Sequence, residues 1–173
     1  MNVKIISAIT AAAIAGVVTT SIFFENVAVA DKVSEISLMA NGVFDGGSGT
    51  KNDPFLISDE HQFAVIADLP DFCYELKNDI TLPADWKPIG SDGENFSGVL
   101  NGAGYTIYVS GFSYEGYIGV FGINNGDISN LNINMSCTME SEINSSFYGG
   151  ICGENAGTIV NCSVSGEYKH FIS

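Results

Sequence analysis

The chain has 173 residues, 46% of them hydrophobic and 15% charged, well below the ~25% charged fraction of an average soluble domain. Twenty acidic residues stand against six lysines and no arginine, a net charge of −14. The cationic track that nucleic acid, an anionic membrane surface or a heparin-like polymer requires is therefore missing, and twenty glycines suit a turn-rich β fold better than a helical one.

Residues 1–30 read as a signal peptide. Lys4 supplies a small positive start, residues 5–24 are apolar apart from small hydroxyls, and Glu25-Asn26 breaks the run. Ala28-Val29-Ala30 follows as a small-x-small cleavage site before Asp31. An uncleaved membrane helix is the competing reading, since about twenty apolar residues just span a bilayer. The cleavage site and the polar sequence after it favour removal. No cysteine lies near the site, so a lipid anchor is not expected. The mature chain, 31–173, keeps a net charge of −14 because Lys4 and Glu25 leave together. It has no further run long enough to span a bilayer. The expectation is a secreted or cell-surface protein with no membrane contact after cleavage.

Residues 31–52 read as a flexible linker, with Asp45-Gly46-Gly47-Ser48-Gly49-Thr50 at its centre. That stretch lacks the alternating acidic ligands of a calcium loop. The domain is expected over 53–173. It opens with the extended segment Asp53-Pro54-Phe55-Leu56-Ile57, and a helix is predicted over 59–68. Ser58 is its candidate cap, and Asp59 and Glu60 complement the macrodipole in its first turn. Phe63, Ile66, Ala67 and Leu69 fall on one face, and Leu69-Pro70 ends the helix. From Tyr74 onward, short apolar runs alternate with Gly, Asn, Asp and Ser every six to ten residues. Strands this short, punctuated this often, predict an all-β protein.

An internal repeat selects among the all-β architectures. Residues 117–133, YIGVFGINNGDISNLNI, align without a gap on 148–164, YGGICGENAGTIVNCSV, at an offset of 31 with seven of seventeen positions identical. The identities include Gly119/Gly150, Gly122/Gly153, Asn124/Asn155, Gly126/Gly157, Ile128/Ile159 and Asn130/Asn161. Stacked coils demand this pattern, because equivalent residues of successive coils lie about 4.8 Å apart and each must fit its own copy. Gly and Asn serve corners by tolerating positive φ, and aligned asparagines can bond as a ladder.

These two copies resemble the GLUG repeat of bacterial secreted and surface proteins. Phe96-Ser97-Gly98, Gly102 and Gly104-Tyr105-Thr106-Ile107 resemble the coil that precedes such repeats, with Asn101 where an aspartate is usual. Asp53-Pro54-Phe55-Leu56-Ile57 and Trp86-Lys87-Pro88-Ile89-Gly90 resemble their opening segments. The resemblance covers about residues 50–168. It implies a right-handed parallel β-helix, a solenoid, and the short helix over 59–68 is expected at its N-terminal end, where it can cover the first coil. Leu100, Ile107, Val109, Val120, Ile128, Leu131, Ile133, Ile151, Ile159, Cys162 and Val164 would point inward. It brings no catalytic residues and no cofactor, since members include adhesin-like proteins and the flanks of large secreted peptidases.

Cys73, Cys137, Cys152 and Cys162 suggest a disulfide framework in an exported chain. Cys152 and Cys162 replace Phe121 and Leu131 of the other copy, however, so core packing is preferred to a Cys152–Cys162 bridge. No metal site is expected: there is no Cys-x2-Cys pair, and His61 and His170 belong to no His-Glu-x-x-His motif. No Gly-x-Ser-x-Gly elbow appears either. Asp92/Glu94 and Glu140/Glu142 are the nearest approach to paired carboxylates, and both pairs read as solvated loop charge. The ligand-binding candidates are aromatic: Trp86, Tyr105, Tyr108, Tyr114 and Tyr117, which can stack on sugar rings or anchor a protein. Lateral packing on the coil is the structural alternative.

The expectation is thus an exported, non-catalytic, adhesin-like surface module that binds a host or cell-surface protein or glycan. The alternative is the N-terminal flanking fragment of a larger secreted enzyme, a metallopeptidase or a carbohydrate-active one. The second copy is followed by little sequence to cover it. A truncated or minimal form, or self-association through the C-terminal coil, is therefore expected.

Overall fold

The computed structural model of the protein describes residues 42–91, 94–112, 116–139 and 147–170. All of them belong to one compact unit, which begins at Gly42. The leader expected over 1–30 lies outside them. In chain order the elements are β1 (Phe55–Ile57), α1 (Glu60–Ala64) running into a 3-10 turn (Val65–Ala67), β2 (Cys73–Leu76), β3 (Ile80–Thr81), β4 (Val99–Asn101) and β5 (Thr106–Val109). They continue with β6 (Tyr117–Ile118), β7 (Phe121–Asn124), β8 (Asp127–Ser129), β9 (Asn132–Met139), β10 (Phe147–Tyr148), β11 (Cys152–Asn155), β12 (Thr158–Val160) and β13 (Ser163–His170).

The protein is all-β with one short helix, and every pairing between these strands is parallel. One sheet has the order β1-β2-β4-β8-β12 and a second β13-β9-β5-β3, while β10-β6 and β11-β7 form two further pairs. Apart from β1 and β2, neighbouring strands of a sheet are separated in sequence by strands of the other sheets. The registers run residue over residue. Phe55, Tyr74, Leu100, Ile128 and Ile159 form one column. Ile80, Ile107, Ile133 and Val164 form another.

These columns fill the core. Leu100, Ile107, Val109, Val120, Ile128, Leu131 and Ile133 are buried, as expected, together with Phe55, Phe63, Phe96 and Phe121. Alternation does the sorting. In β5 the side chains of Ile107 and Val109 face in, while Tyr108 between them faces out. Four residues expected inside are less covered: Ile151, Ile159 and Cys162 are half-buried, and Val164 is 51% exposed. Ile159 lies over Ile128 and Val164 over Ile133. No described strand pairs with the outer edges of β12 and β13, so one side of each residue stays open.

The helix is shorter than predicted, and its cap is Asp59 rather than Ser58. The Asp59 carboxylate accepts from the Gln62 backbone N–H at 2.9 Å. Ser58 is instead drawn to Asp45, to which its hydroxyl donates. Phe63 and Ile66 are buried, while Ala67, expected on the same face, is exposed because the chain tightens to 3-10 geometry there. Phe63 reaches Trp86 (5.8 Å between ring centroids) and Phe121 (6.0 Å), tying the helix to the core.

The stretch expected as a linker over 31–52 is folded where it is described. Phe44 is buried and stacks on Phe55 at 4.5 Å. Asp45 N–H donates to the Leu56 carbonyl (3.0 Å), and Leu56 N–H returns a bond to Gly46 (2.9 Å), which covers the outer edge of β1. The Asp45 carboxylate also accepts from the Gln62 side-chain amide at 2.8 Å.

Corners are held by asparagine columns. The Asn161 amide donates to Asn130 (2.7 Å), Asn130 to Asn101 (2.9 Å) and Asn101 to Glu75 (3.2 Å). Asn130 and Asn161 both sit at φ 53°, the left-handed region that asparagine tolerates better than most residues. Asn124 is fully buried and satisfied: it donates to Asn155 (2.7 Å) and accepts from Gly126 N–H (3.1 Å). A glycine column stands beside it. A Cβ on Gly126 would lie 2.2 Å from the Gly98 carbonyl oxygen, and one on Gly157 2.0 Å from that of Gly126.

Two outcomes are expected. Asn130→Ala, which puts a Cβ-bearing residue without a side-chain amide at a left-handed corner, costs about 2 kcal/mol in urea unfolding, and Asn130→Gly, which keeps the φ but loses the ladder, costs about half that. Hydrogen bonds from Ser58 and Gln62 hold the Asp45 carboxyl below its ordinary value of 3.8. A carboxyl depressed in the folded state stabilises fully above its unfolded pKa and loses that contribution as pH falls through the folded one. Melting temperatures of the wild type and Asp45→Asn should therefore differ at pH 6 and converge as the pH drops below about 4.

Candidate binding surface

The expected aromatic candidates separate on the structure. Trp86 is 5% exposed, packs on Phe63, and donates its indole N–H to the Val120 carbonyl at 3.0 Å. It is a core residue and not a ligand platform: the apolar ring is fully used and its polar tip is satisfied by backbone. Tyr105 is half-buried in the turn before β5. Tyr108 lies on the outer side of the second sheet, in the row Thr81–Tyr108–Asn134–Ser165, and is 41% exposed. Tyr114 lies outside the described residues. Tyr117 is half-buried at the start of β6.

Tyr117 belongs to a cluster that the repeat alignment did not disclose. Most of the second copy pairs with the first at the expected offset of 31, as in Cys152↔Phe121 and Ile159↔Ile128. β10 is different. It pairs Phe147 with Tyr117 and Tyr148 with Ile118, an offset of 30. The extra residue is accommodated at Gly149-Gly150-Ile151, against Gly119-Val120 in the first copy. A one-residue slip changes which side chain lies over which. It sets Phe147 on Tyr117 in a parallel stack, centroids 5.0 Å apart and planes 15° apart. Tyr148 and the two glycines then border a cavity of about 200 Å³, walled also by Phe112, Ile118, Met135 and Val164.

The surface around the cavity is apolar and open. Phe147 is 58% and Tyr148 44% exposed, alongside Val164. The stacked Tyr117–Phe147 pair lies outside the cavity lining and carries one acid. The Tyr117 hydroxyl is hydrogen-bonded to Glu154, and that carboxylate pushes the phenol above its ordinary value of 10.0 by disfavouring the tyrosinate. A flat ring with a carboxylate acceptor beside it, as at Phe147, Tyr117 and Glu154, suits a sugar face with its hydroxyls, and the apolar recess at Tyr148 suits an aliphatic group.

Other candidates do not assemble into a site. Of the carboxylates weighed as pairs, Glu94 is exposed, and Asp92, Glu140 and Glu142 lie outside the described residues. Asp59, Glu60 and His61 bring ligand atoms within 4.8 Å of one another, but Asp59 is engaged as the helix cap and His61 contacts Glu60 at 3.1 Å on the surface. All four cysteines are free thiols. Burial raises the pKa of Cys137 and Cys152, which keeps them protonated and unreactive. No described helix is long and apolar enough to cross a membrane.

Among curated proteins the chain is similar to a "Putative Gly-rich membrane protein" of Evansella cellulosilytica, 34% identical over 140 aligned residues. The match takes in 72% of this chain and 16% of that protein, so the chain spans a small part of its relative's length. No model of a known protein family matches the chain, and no solved structure does.

Replacing Glu154 by Gln removes the charge beside Tyr117. In a spectrophotometric titration, one tyrosine should then ionise closer to the ordinary value while the others keep their midpoints. An unchanged curve would separate Tyr117 from Glu154 in solution.

Proposed function

We propose that this chain is an exported, non-catalytic module of the GLUG-repeat type, a right-handed parallel β-helix that binds a protein or glycan on its outer surface. Support for the architecture comes from the parallel registers at an offset of 31, with apolar, asparagine and glycine columns at the positions the repeat specifies. The observation that carries the function is the pair of exposed aromatics on β10, Tyr148 at the apolar cavity and Phe147 stacked on Tyr117, where most other large aromatics among the described residues are inside. Export is supported by the leader-like residues 1–30. The membrane description of the Evansella relative is compatible with a place at the cell surface.

The relative's much greater length favours a second reading, in which the chain is the N-terminal flank of a larger secreted protein, a metallopeptidase or a carbohydrate-active enzyme. In-frame downstream sequence bearing His-Glu-x-x-His would decide for the peptidase.

For the leading reading, the purified chain is passed over immobilised polysaccharides and cell-surface glycoproteins. A ligand held through this surface should lose at least about tenfold in affinity with Phe147→Ala or Tyr148→Ala and little with Tyr108→Ala, since an anchoring aromatic is worth ~1–2 kcal/mol or more. Equal binding by all three variants would sink the assignment of this surface. Recovery of the exported protein with Asp31 as its first residue would establish the leader.

A further inference from the structure

Glu75 holds an amine and a side-chain amide at once. It points outward from β2, between the buried Tyr74 and Leu76, and stands opposite Asn101 in the register of β2 and β4. Its Oε2 accepts from Asn101 Nδ2 at 3.2 Å, and its Oε1 accepts from Lys77 Nζ at 3.3 Å. The backbone of each partner is fixed. Lys77 N–H donates to the Ile57 carbonyl (2.8 Å) just past the end of β2, and Asn101 is paired in β4 between β2 and β8. The Asn101 amide oxygen is engaged from its other side. Oδ1 accepts from Asn130 Nδ2 (2.9 Å) and from Ala103 N–H (3.1 Å), a local turn that holds the side chain in place. An ion pair on a protein surface contributes little by itself. The third partner, an amide with a polarised carbonyl, gives this cluster a chemistry.

We propose that Lys77 and Asn101 become joined by an isopeptide bond between Nζ and Cγ, formed within the chain with Glu75 as the proton carrier. The Lys77 ammonium gives one proton to Glu75, and the freed electron pair of Nζ attacks Asn101 Cγ. Negative charge then gathers on Oδ1, where the Ala103 and Asn130 N–H groups already point, as donors do at a developing oxyanion. Glu75 returns its proton to Nδ2, for which its second oxygen is in place. The bond between Cγ and Nδ2 breaks, ammonia leaves, and the surplus proton on Nζ follows it as ammonium. Glu75 ends as it began, and no other reactant is consumed. One amide is exchanged for another, so little energy separates the two sides. Both ionic side chains are partly exposed, so the ammonia is lost to solvent and the step runs one way. The product ties the end of β2 to β4, two successive layers of one sheet. The four cysteines are free thiols, so this link has the place that a disulfide takes in other exported domains.

The test is mass spectrometry of the purified, folded full chain after prolonged incubation in mildly alkaline buffer. Linked protein is lighter than its sequence requires by one molecule of ammonia. A glutamyl-endopeptidase digest should then contain one branched peptide, with Lys77 in one arm and Asn101 in the other. Lys77→Arg keeps the charge but offers no amine to acylate, so it should keep its full mass and yield no branched peptide. Glu75→Gln keeps the size but cannot take up the proton, and should slow the loss of ammonia about a hundredfold or more. The linked chain should also melt at a higher temperature than Lys77→Arg, because the link restricts the unfolded chain. Wild-type protein that retains its full mass would overturn the proposal. So would loss of ammonia that persists in Lys77→Arg, which assigns it to closure of a succinimide at Asn101-Gly102. Equal rates in Glu75→Gln and wild type would remove Glu75 from the proton transfer. If Glu75→Gln fails to fold, the wild type and Lys77→Arg, a change at an exposed side chain, carry the test between them.

Discussion

Everything in this fold depends on parallel strands lying directly over their own counterparts, about 4.8 Å apart. Each residue in a strand must tolerate whatever stands above and below it, and like charges there repel. The registers respect this throughout. Glu75 lies between Leu56 and Asn101, Asp127 between Val99 and Thr158, and Glu154 over Ile123. No charged residue pairs with another across any described pair of strands. A chain with a net charge of −14 can stack only if its acids are kept out of one another's columns, and the columns that remain are filled by Ile, Leu, Phe, Gly and Asn.

Asparagine suits the corners for two reasons at once. Its side chain donates and accepts, so a column of identical residues bonds to itself without any charge. It also tolerates the left-handed backbone that a sharp corner needs, as at Asn130 and Asn161. Glycine has the complementary role. In the column Gly98–Gly126–Gly157 the backbones of successive layers approach so closely that no Cβ fits. The corners are thus specified by polarity in one column and by the absence of a side chain in the next.

The two edges of the layered stack are treated differently. At the β1 edge, residues 44–50 fold back: Phe44 covers Phe55, and Asp45 binds Ser58, Gln62 and the backbone of Leu56. That blunts the edge against strand addition. At the β13 edge, among the described residues, no such cover is present. There the stack offers ladder groups, exposed valines and the aromatic cavity side by side. The register slips by one residue beside that cavity. Gly149-Gly150 absorbs the extra position, and the aromatic ring of Phe147 comes to rest on Tyr117 instead of falling on the next layer's equivalent position.

The all-β class, the parallel stacking partners, the helix around Phe63 and most of the core were legible in the sequence. Alternation and the gapless repeat are local signals, and stacking converts an offset in sequence directly into a neighbour in space. Ile128, Leu131 and Ile133 could be placed inside for that reason. Contacts between residues far apart that share no repeat were not legible. Trp86 looked like a surface aromatic because its loop has no alternation, and only the approach of Phe63 and the Val120 carbonyl buries it. Residues 44–50 read as a linker because glycine-rich composition describes freedom in the unfolded chain, whereas Phe55 and Gln62 supply the partners that remove it. The slip at β10 was hidden by an alignment that matched Tyr117 to Tyr148. The sequence by itself determined which residues stack. Tertiary structure decided where the register breaks and which aromatics face solvent, because those outcomes turn on close packing between segments that carry no shared pattern.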